Sequence, residues 1–384
     1  MSLIIVANRE PLREDGGKWS PSVGGLTTAL LPVLEKRGGK WIGWGEKRAR
    51  EEPVLFYPEE EARIEIRRLV LSERQLANYY YGMANRVLWP LSHYFIERMN
   101  LRRGFYEDYR RVNRTFAHET IQAMGPNETV WVQDYHLMLV PEYIRRERPG
   151  ARIGFFYHIP WPAPEVWRVL PQAEHLLEGL LGADLVGFHI QEYVDNFLGA
   201  ASTLLGAEVR GNTVKWKGRK VRVEAHPIGI DAHWFRHMSY RPEVRFESMR
   251  LRRESSENTI ILGVDRLDYT KGILERLLAY EQFLRSNPRY RGKVTFYQIA
   301  TPSRTRVESY RQLKRQVDEI VGRINGSFMR QNWVPVVDKV VKGLKRALDM
   351  PERERYSRLS SLKKRVEALD VFHWAEKFLD SLET

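Results

Sequence analysis

A chain of 384 residues with 43% hydrophobic and 11% aromatic content is long enough for two globular cores. It has no cysteine, which excludes disulfides, thiolate metal sites and a cysteine nucleophile; with no run of eighteen apolar residues and an amino terminus that opens into a strand, the expectation is a cytoplasmic protein with neither membrane span nor signal peptide. The net charge of +13 predicts acidic partners, but much of the charge alternates with Glu on helices such as Glu142–Arg148 and reads as solvated surface; lacking an RNP-type strand, a zinc finger or a basic tail, the chain is not expected to bind nucleic acid.

In chain order, Leu3 to Ala7 reads as a strand ended by Asn8-Arg9-Glu10-Pro11. A polar, glycine-bearing loop follows, then a helix beginning at Ser22-Val23-Gly24-Gly25 and running through Leu34, where Gly25 would let a ligand approach the free N–H groups of the helix start. Helix packing would ask for the same glycines. Trp41 to Trp44 is a short strand, residues 53–70 give two edge-like strands, and Ser72 caps a helix running through Tyr79-Tyr80-Tyr81 toward Trp89-Pro90. Three consecutive tyrosines cannot share one core face, so at least one hydroxyl is expected to reach solvent or a ligand.

A helix over about 106–124 precedes the strand Thr129 to Gln133, which delivers Asp134 and His136 at its carboxyl end. The strand at Arg152 delivers His158, and after a helix over 172–181 the strand at Asp184 delivers His189. Parallel strands joined by helices set these ends side by side, so Asp134, His136, His158 and His189 are expected to share a cleft. A metal is not expected there, because the histidines lack tight local spacing. Residues 207–226 read as a small antiparallel excursion with turns at Gly211-Asn212 and Lys217-Gly218, and the first unit closes near Asp231.

Past a helix at Val244–Ser255, Thr259 to Val264 is a β-branched strand leading through Arg266 and Lys271 to a helix marked by Ile273, Leu277, Tyr280 and Leu284. Two cations at the carboxyl end of a strand and the amino end of a helix call for an anion, and a phosphate held jointly with helix N–H groups would supply it. A surface turn in which they pair with Asp265 and Asp268 is the competing reading. Lys293 to Ile299 is the next strand, and Arg304 stands at the start of the long helix after it. Oligomeric state stays open, a homo-oligomer included.

Taken together, Val6-Ala7-Asn8-Arg9, Gly24-Gly25-Leu26, Trp41 to Trp44, Tyr79 to Pro90, Trp131 to His136, Gly154 to Pro160, Val264 to Gly272, Gln298 to Arg304 and Gly322 to Gly326 resemble the trehalose-6-phosphate synthase family of retaining GT-B glycosyltransferases. The resemblance implies an α/β fold of two Rossmann-like, doubly wound domains facing a cleft, here 1–229 and 230–365, with a terminal helix over 366–384 returning to the first. It implies transfer of glucose from UDP-glucose or another nucleotide glucose to glucose 6-phosphate, with small-molecule substrates, no cofactor and no metal. By similarity, Arg9, Tyr80, Trp89, Asp134 and Arg304 would line the acceptor, Gly25 and His158 would lie near the donor's phosphates and glucose, and Arg266 and Lys271 would hold the diphosphate. Arg266, Lys271, His158 and Asp134 would form the catalytic set.

The pattern departs from the family after Val337, where several further strands and helices, with donor-binding residues among them, are expected and the final helices follow instead. About three strands can be found after Asp231, so the second domain reads as incomplete. That leaves a second reading: a non-catalytic or regulatory sugar-phosphate binder lacking a complete donor site.

Overall fold

The computed structural model describes every residue except 1, 16–17, 23, 46–51, 59, 255–257, 302–307, 331–332 and 337–351. It divides into two compact units, Met1–Asp231 with Ala368–Thr384, and Ala232–Glu367.

The first unit is built on a ten-stranded sheet. Its strands are β1 (Leu3–Arg9), β4 (Gly39–Trp44), β5 (Val54–Tyr57), β6 (Ile64–Leu69), β7 (Thr129–Gln133), β8 (Arg152–Phe156), β9 (Leu185–Phe188), β10 (Glu208–Arg210), β11 (Thr213–Trp216) and β12 (Arg219–Ala225). The spatial order is β10-β11-β12-β9-β8-β7-β1-β4-β6-β5. Pairing is parallel from β12 through β6 and antiparallel at both margins. The chain builds outward from β1 through β4 to β6, then returns to the other side of β1 with β7. The strand order therefore reverses between β1 and β7, and the carboxyl ends of that pair are where an open α/β sheet forms its ligand crevice. The expected antiparallel excursion is β10–β12, turning at Gly211 (φ 54°), Lys217 (φ 47°) and Gly218 (φ 79°).

Three local expectations are corrected. The loop after β1 is a hairpin of β2 (Leu12–Asp15) and β3 (Lys18–Pro21), whose closing turn falls on undescribed residues. Its helix begins at Gly25 and runs to Arg37, without a side-chain cap. Of the two strands over 53–70, β5 lies at the sheet's edge and β6 does not, because β6 sits between β4 and β5 and contributes the fully buried Ile64 and Ile66. Ser72 does cap its helix, in a reciprocal box with Gln75, but from Leu76 to Leu88 the chain winds as a π-helix.

The helix Val371–Glu383 packs on the same sheet, with Trp374, Phe378 and Leu382 buried against Trp131 and Phe156. Its approach is close enough that a Cβ at Gly154 would come within 2.8 Å of Phe378 and Leu382, and one at Gly187 within 2.6 Å of Phe378. Those two strand positions have to be glycine for the aromatic ring to lie flat on the sheet.

In the second unit, β13 (Thr259–Arg266) and β14 (Val294–Thr301) form a parallel pair, in register from Thr259↔Val294 to Arg266↔Thr301. Helices Ile273–Ser286 and Glu308–Phe328 cover one face through Leu277, Tyr280, Leu284, Leu313 and Phe328. Of the about three strands expected after Asp231, the described residues form β13 and β14, with an isolated bridge, Arg330↔Trp333, and a bond from the Phe296 N–H to the Pro335 carbonyl beyond them. The departure after Val337 lies outside the described residues.

Candidate active site

β1 and β7 end side by side, and the sequence places Asn8-Arg9 on one and Asp134 on the other. Asn8 is buried and acts as a hub: its Oδ1 accepts from Trp44 Nε1 at 3.1 Å and from the Tyr79 hydroxyl at 2.7 Å. These bonds fix the indole and the π-helix against the strand end. Arg9 then lies over the Trp44 ring, 4.3 Å from its centroid, and 5.5 Å from that of Tyr80. Tyr79 is fully buried, with its hydroxyl pushed well above the usual phenol range by desolvation, whereas Tyr80 is only half-buried and stacks on His136 at 5.7 Å. The tyrosine triplet thus divides as expected, one ring structural and the next partly exposed.

Asp134 adopts φ 72°, an uncommon conformation for a residue with a side chain, costing on the order of 1–3 kcal/mol. Three bonds hold it there. Its N–H donates to the Phe156 carbonyl (2.7 Å), its Oδ1 accepts from the His158 N–H (3.2 Å), and its carbonyl accepts from the Leu137 N–H (3.1 Å). The chain is thereby turned out of β7 so that the carboxylate stands at the sheet's end, with Oδ2 3.8 Å from His136 Nδ1. Strain held by surrounding bonds at a strand terminus points to a positioned functional group.

His158 follows β8, and its Nε2 bonds Gln133 Oε1 at 2.9 Å. Desolvation, reinforced by the neighbouring His189, holds the imidazole well below its ordinary range, so it is neutral near pH 7. With Nε2–H donating to Gln133, Nδ1 is left in the acceptor form. His189 Nε2 donates to the His158 carbonyl (3.2 Å), and burial lowers this imidazole likewise. Trp89 is buried against Tyr135 and His93, and Tyr135 stacks in turn on His136. Arg9, Tyr80, His136, Asp134 and His158 therefore form one chain of contacts, with Trp89 at its side. Gly25 starts its helix with no atom near its missing Cβ, leaving open space at the helix terminus.

In the second unit, Arg266 ends β13 with its guanidinium 3.7 Å from the buried Asp268, and Lys271 is exposed at the turn. Gly272 at φ 62° turns the chain into the helix Ile273–Ser286, whose start has no side-chain cap. The competing surface-turn reading assigned both cations to Asp265 and Asp268. It holds for Arg266, whose partner is Asp268, and not for Lys271: Asp265 pairs with Arg276, and Asp268 also accepts from the Thr270 N–H, the Thr270 hydroxyl and the Tyr310 hydroxyl. Lys271 takes no ion-pair partner among the described residues. Arg304 lies outside the described residues. Among them no group of histidine and carboxylate side chains is arranged to hold a metal ion. Asn8 and Gln133 as organisers carry no signal in the sequence, since both act through partners on other elements.

Comparisons with known proteins bear on this arrangement. A family model described as "Glycosyltransferase family 20" matches residues 1–338. A bifunctional trehalose-6-phosphate synthase/phosphatase from Thermoproteus tenax is 40% identical over 350 residues, covering 88% of this chain. The chain spans about half of that relative, 48% of its length. Solved structures match over the whole chain, two with ligands among them. One, from E. coli with UDP-2-fluoro glucose bound, has a TM-score of 0.89 at 28% identity and is covered over 99% of its length. The other, an α,α-trehalose-phosphate synthase (UDP-forming) from Burkholderia xenovorans in complex with glucose-6-phosphate, has a TM-score of 0.87 at 27% identity and is covered in full. The α/β, GT-B-type fold expected from the sequence is the fold of these structures.

Proposed function

The chain belongs to glycosyltransferase family 20, and from that premise we propose that it transfers glucose, with retention, from a nucleotide glucose such as UDP-glucose to glucose 6-phosphate, forming trehalose 6-phosphate. The observation that carries the proposal is the turn 266–273. There an exposed Lys271 without an ion pair among the described residues and the guanidinium of Arg266, which pairs with Asp268, stand at a helix start with no side-chain cap, an arrangement that attracts a diphosphate. As the glycosidic bond to the donor breaks, negative charge grows on the departing diphosphate. Cations and N–H groups already in place stabilise that charge without reorganising.

On the acceptor side, Arg9 is the group suited to the phosphate of the sugar, held flat on Trp44 and Tyr80. Asp134 is placed to accept from sugar hydroxyls, and neutral His158 offers Nδ1 as a further acceptor toward the transferred glucose. Tyr80 and Trp89 supply ring surface, and the open start at Gly25 suits close approach by the donor's phosphates. No step in this scheme calls for a metal. The acceptor hydroxyl passes its proton to the leaving diphosphate oxygen on the same face of the sugar, which accounts for retention without a carboxylate nucleophile.

A second reading is favoured by one observation. β13 and β14 leave Leu262, Val264 and Ile299 more than half exposed, as a sheet missing its neighbours would. On that reading the protein binds glucose 6-phosphate and does not turn over. Release of UDP from UDP-glucose, measured with and without glucose 6-phosphate, separates the two. Acceptor-dependent release is the expected result. Calorimetric binding of glucose 6-phosphate with no UDP release would replace the transferase with the binder.

A further inference from the structure

The helix Phe105–Ala123 has an outer face that the proposed reaction does not use. Arg111, Arg114 and His118 on that face, with Tyr143, Arg146 and Glu147 on the helix Val140–Glu147, line an open cavity of about 680 Å³. Arg111 is held by Asp108 at 2.9 Å and Arg146 pairs with Glu142 one turn away. Arg114 has no carboxylate partner among the described residues, and its guanidinium lies over the Tyr143 ring, 5.4 Å from the centroid. The Tyr143 hydroxyl is buried with no hydrogen-bond partner among the described residues. The exposed Arg146 gains no more than about 1 kcal/mol from Glu142 and can turn to a dianion beside Arg114, while the buried Asp108, shared with Asn78 and Arg74, keeps Arg111 fixed at the rim. The cavity's volume suits a sugar phosphate or a nucleotide.

The inner face of the same helix holds the segment that carries Asp134. Tyr109 donates its hydroxyl proton to the Tyr135 carbonyl (2.7 Å) and accepts from the Met138 N–H (3.2 Å). Asn113, next to Arg114, donates to the His136 carbonyl (3.0 Å) and accepts from the Leu139 N–H (3.1 Å). All four bonds are buried.

We propose that this cleft binds a small phosphorylated effector, and that the Phe105–Ala123 helix passes its occupancy to the 134–139 segment. The proposal stands whether or not the chain transfers glucose, because binding is read without turnover. Inorganic pyrophosphate is the probe, titrated calorimetrically into the full chain carrying Arg266→Ala and Lys271→Ala to remove the proposed diphosphate clamp. Binding should persist in that background and weaken at least tenfold when Arg114→Gln and Arg146→Gln are added, two exposed changes that should leave the melting temperature unaltered. Saturation should also slow amide exchange at Met138 and Leu139. No binding in the clamp-less background, or equal binding after replacement of Arg114 and Arg146, overturns the site. Unchanged exchange at Met138 and Leu139 under saturation overturns the transmission.

Discussion

In β1 the residues Leu3 to Asn8 are all buried, whereas in β13 only Gly263 is. Both are parallel strands leading to a cationic turn, yet they sit in sheets of different completeness. β1 lies mid-sheet between β7 and β4, in a sheet that the Gly25–Arg37 and Val371–Glu383 helices help to cover. Among the described residues β13 has one partner strand and one covered face, and its other face exposes Leu262 and Val264 beside Ile299 of β14. A parallel sheet depends on burial of both faces. The contrast is that the proposed acceptor-side layer has β1 buried between paired strands, while the proposed donor-side layer rests on half of the usual cover among the described residues.

The sharpest test of that contrast is Phe378→Ala. Removing a ring that lies on Gly154 and Gly187 should cost about 3–5 kcal/mol of stability in the first unit, read by urea unfolding. A loss under about 1 kcal/mol would mean that the terminal helix does not close this sheet.

Next in size is the proposed diphosphate clamp. Arg266→Ala or Lys271→Ala should lower kcat about 10²–10³-fold, with little change in glucose 6-phosphate affinity. Arg9→Ala should instead raise the acceptor KM. If Arg9→Ala weakens donor binding as much as acceptor binding, the two pockets have been assigned the wrong way round.

A smaller effect concerns pH. Burial, with His189 close by, holds His158 low, and burial lowers His189 too, so the folded protein refuses protons that the unfolded chain accepts below about pH 6.5. Stability from these rings is therefore fully present above that pH and falls as the pH drops below it, by up to about 1.4 kcal/mol per pH unit for each ring. Urea midpoints taken from neutral to mildly acidic pH should show this slope, and His189→Gln should flatten it. A slope that His189→Gln leaves untouched would assign the acid sensitivity to other groups.

The smallest change is expected at the bare face. Leu262→Ser or Val264→Ser should alter stability by no more than about 0.5 kcal/mol, because nothing described covers them. A loss of several times that size would show that the face is covered in solution.

Legible in the sequence was what depends on near neighbours along the chain: the apolar strands, the helix cap at Ser72, the turns at Gly211 and Gly218, and the delivery of Arg9, Asp134, His158, Arg266 and Lys271 at strand ends. Periodicity and turn chemistry act over a few residues and leave a readable trace. Tertiary structure alone decided the π-winding that carries Tyr79 and Tyr80, the left-handed turn at Asp134, the choice of Asn8 and Gln133 as anchors, and the docking of Trp374 and Phe378 on glycines far earlier in the chain. Each of these is fixed by a partner distant in sequence, and a group buried by folding takes its hydrogen bonds from whatever the fold brings within reach.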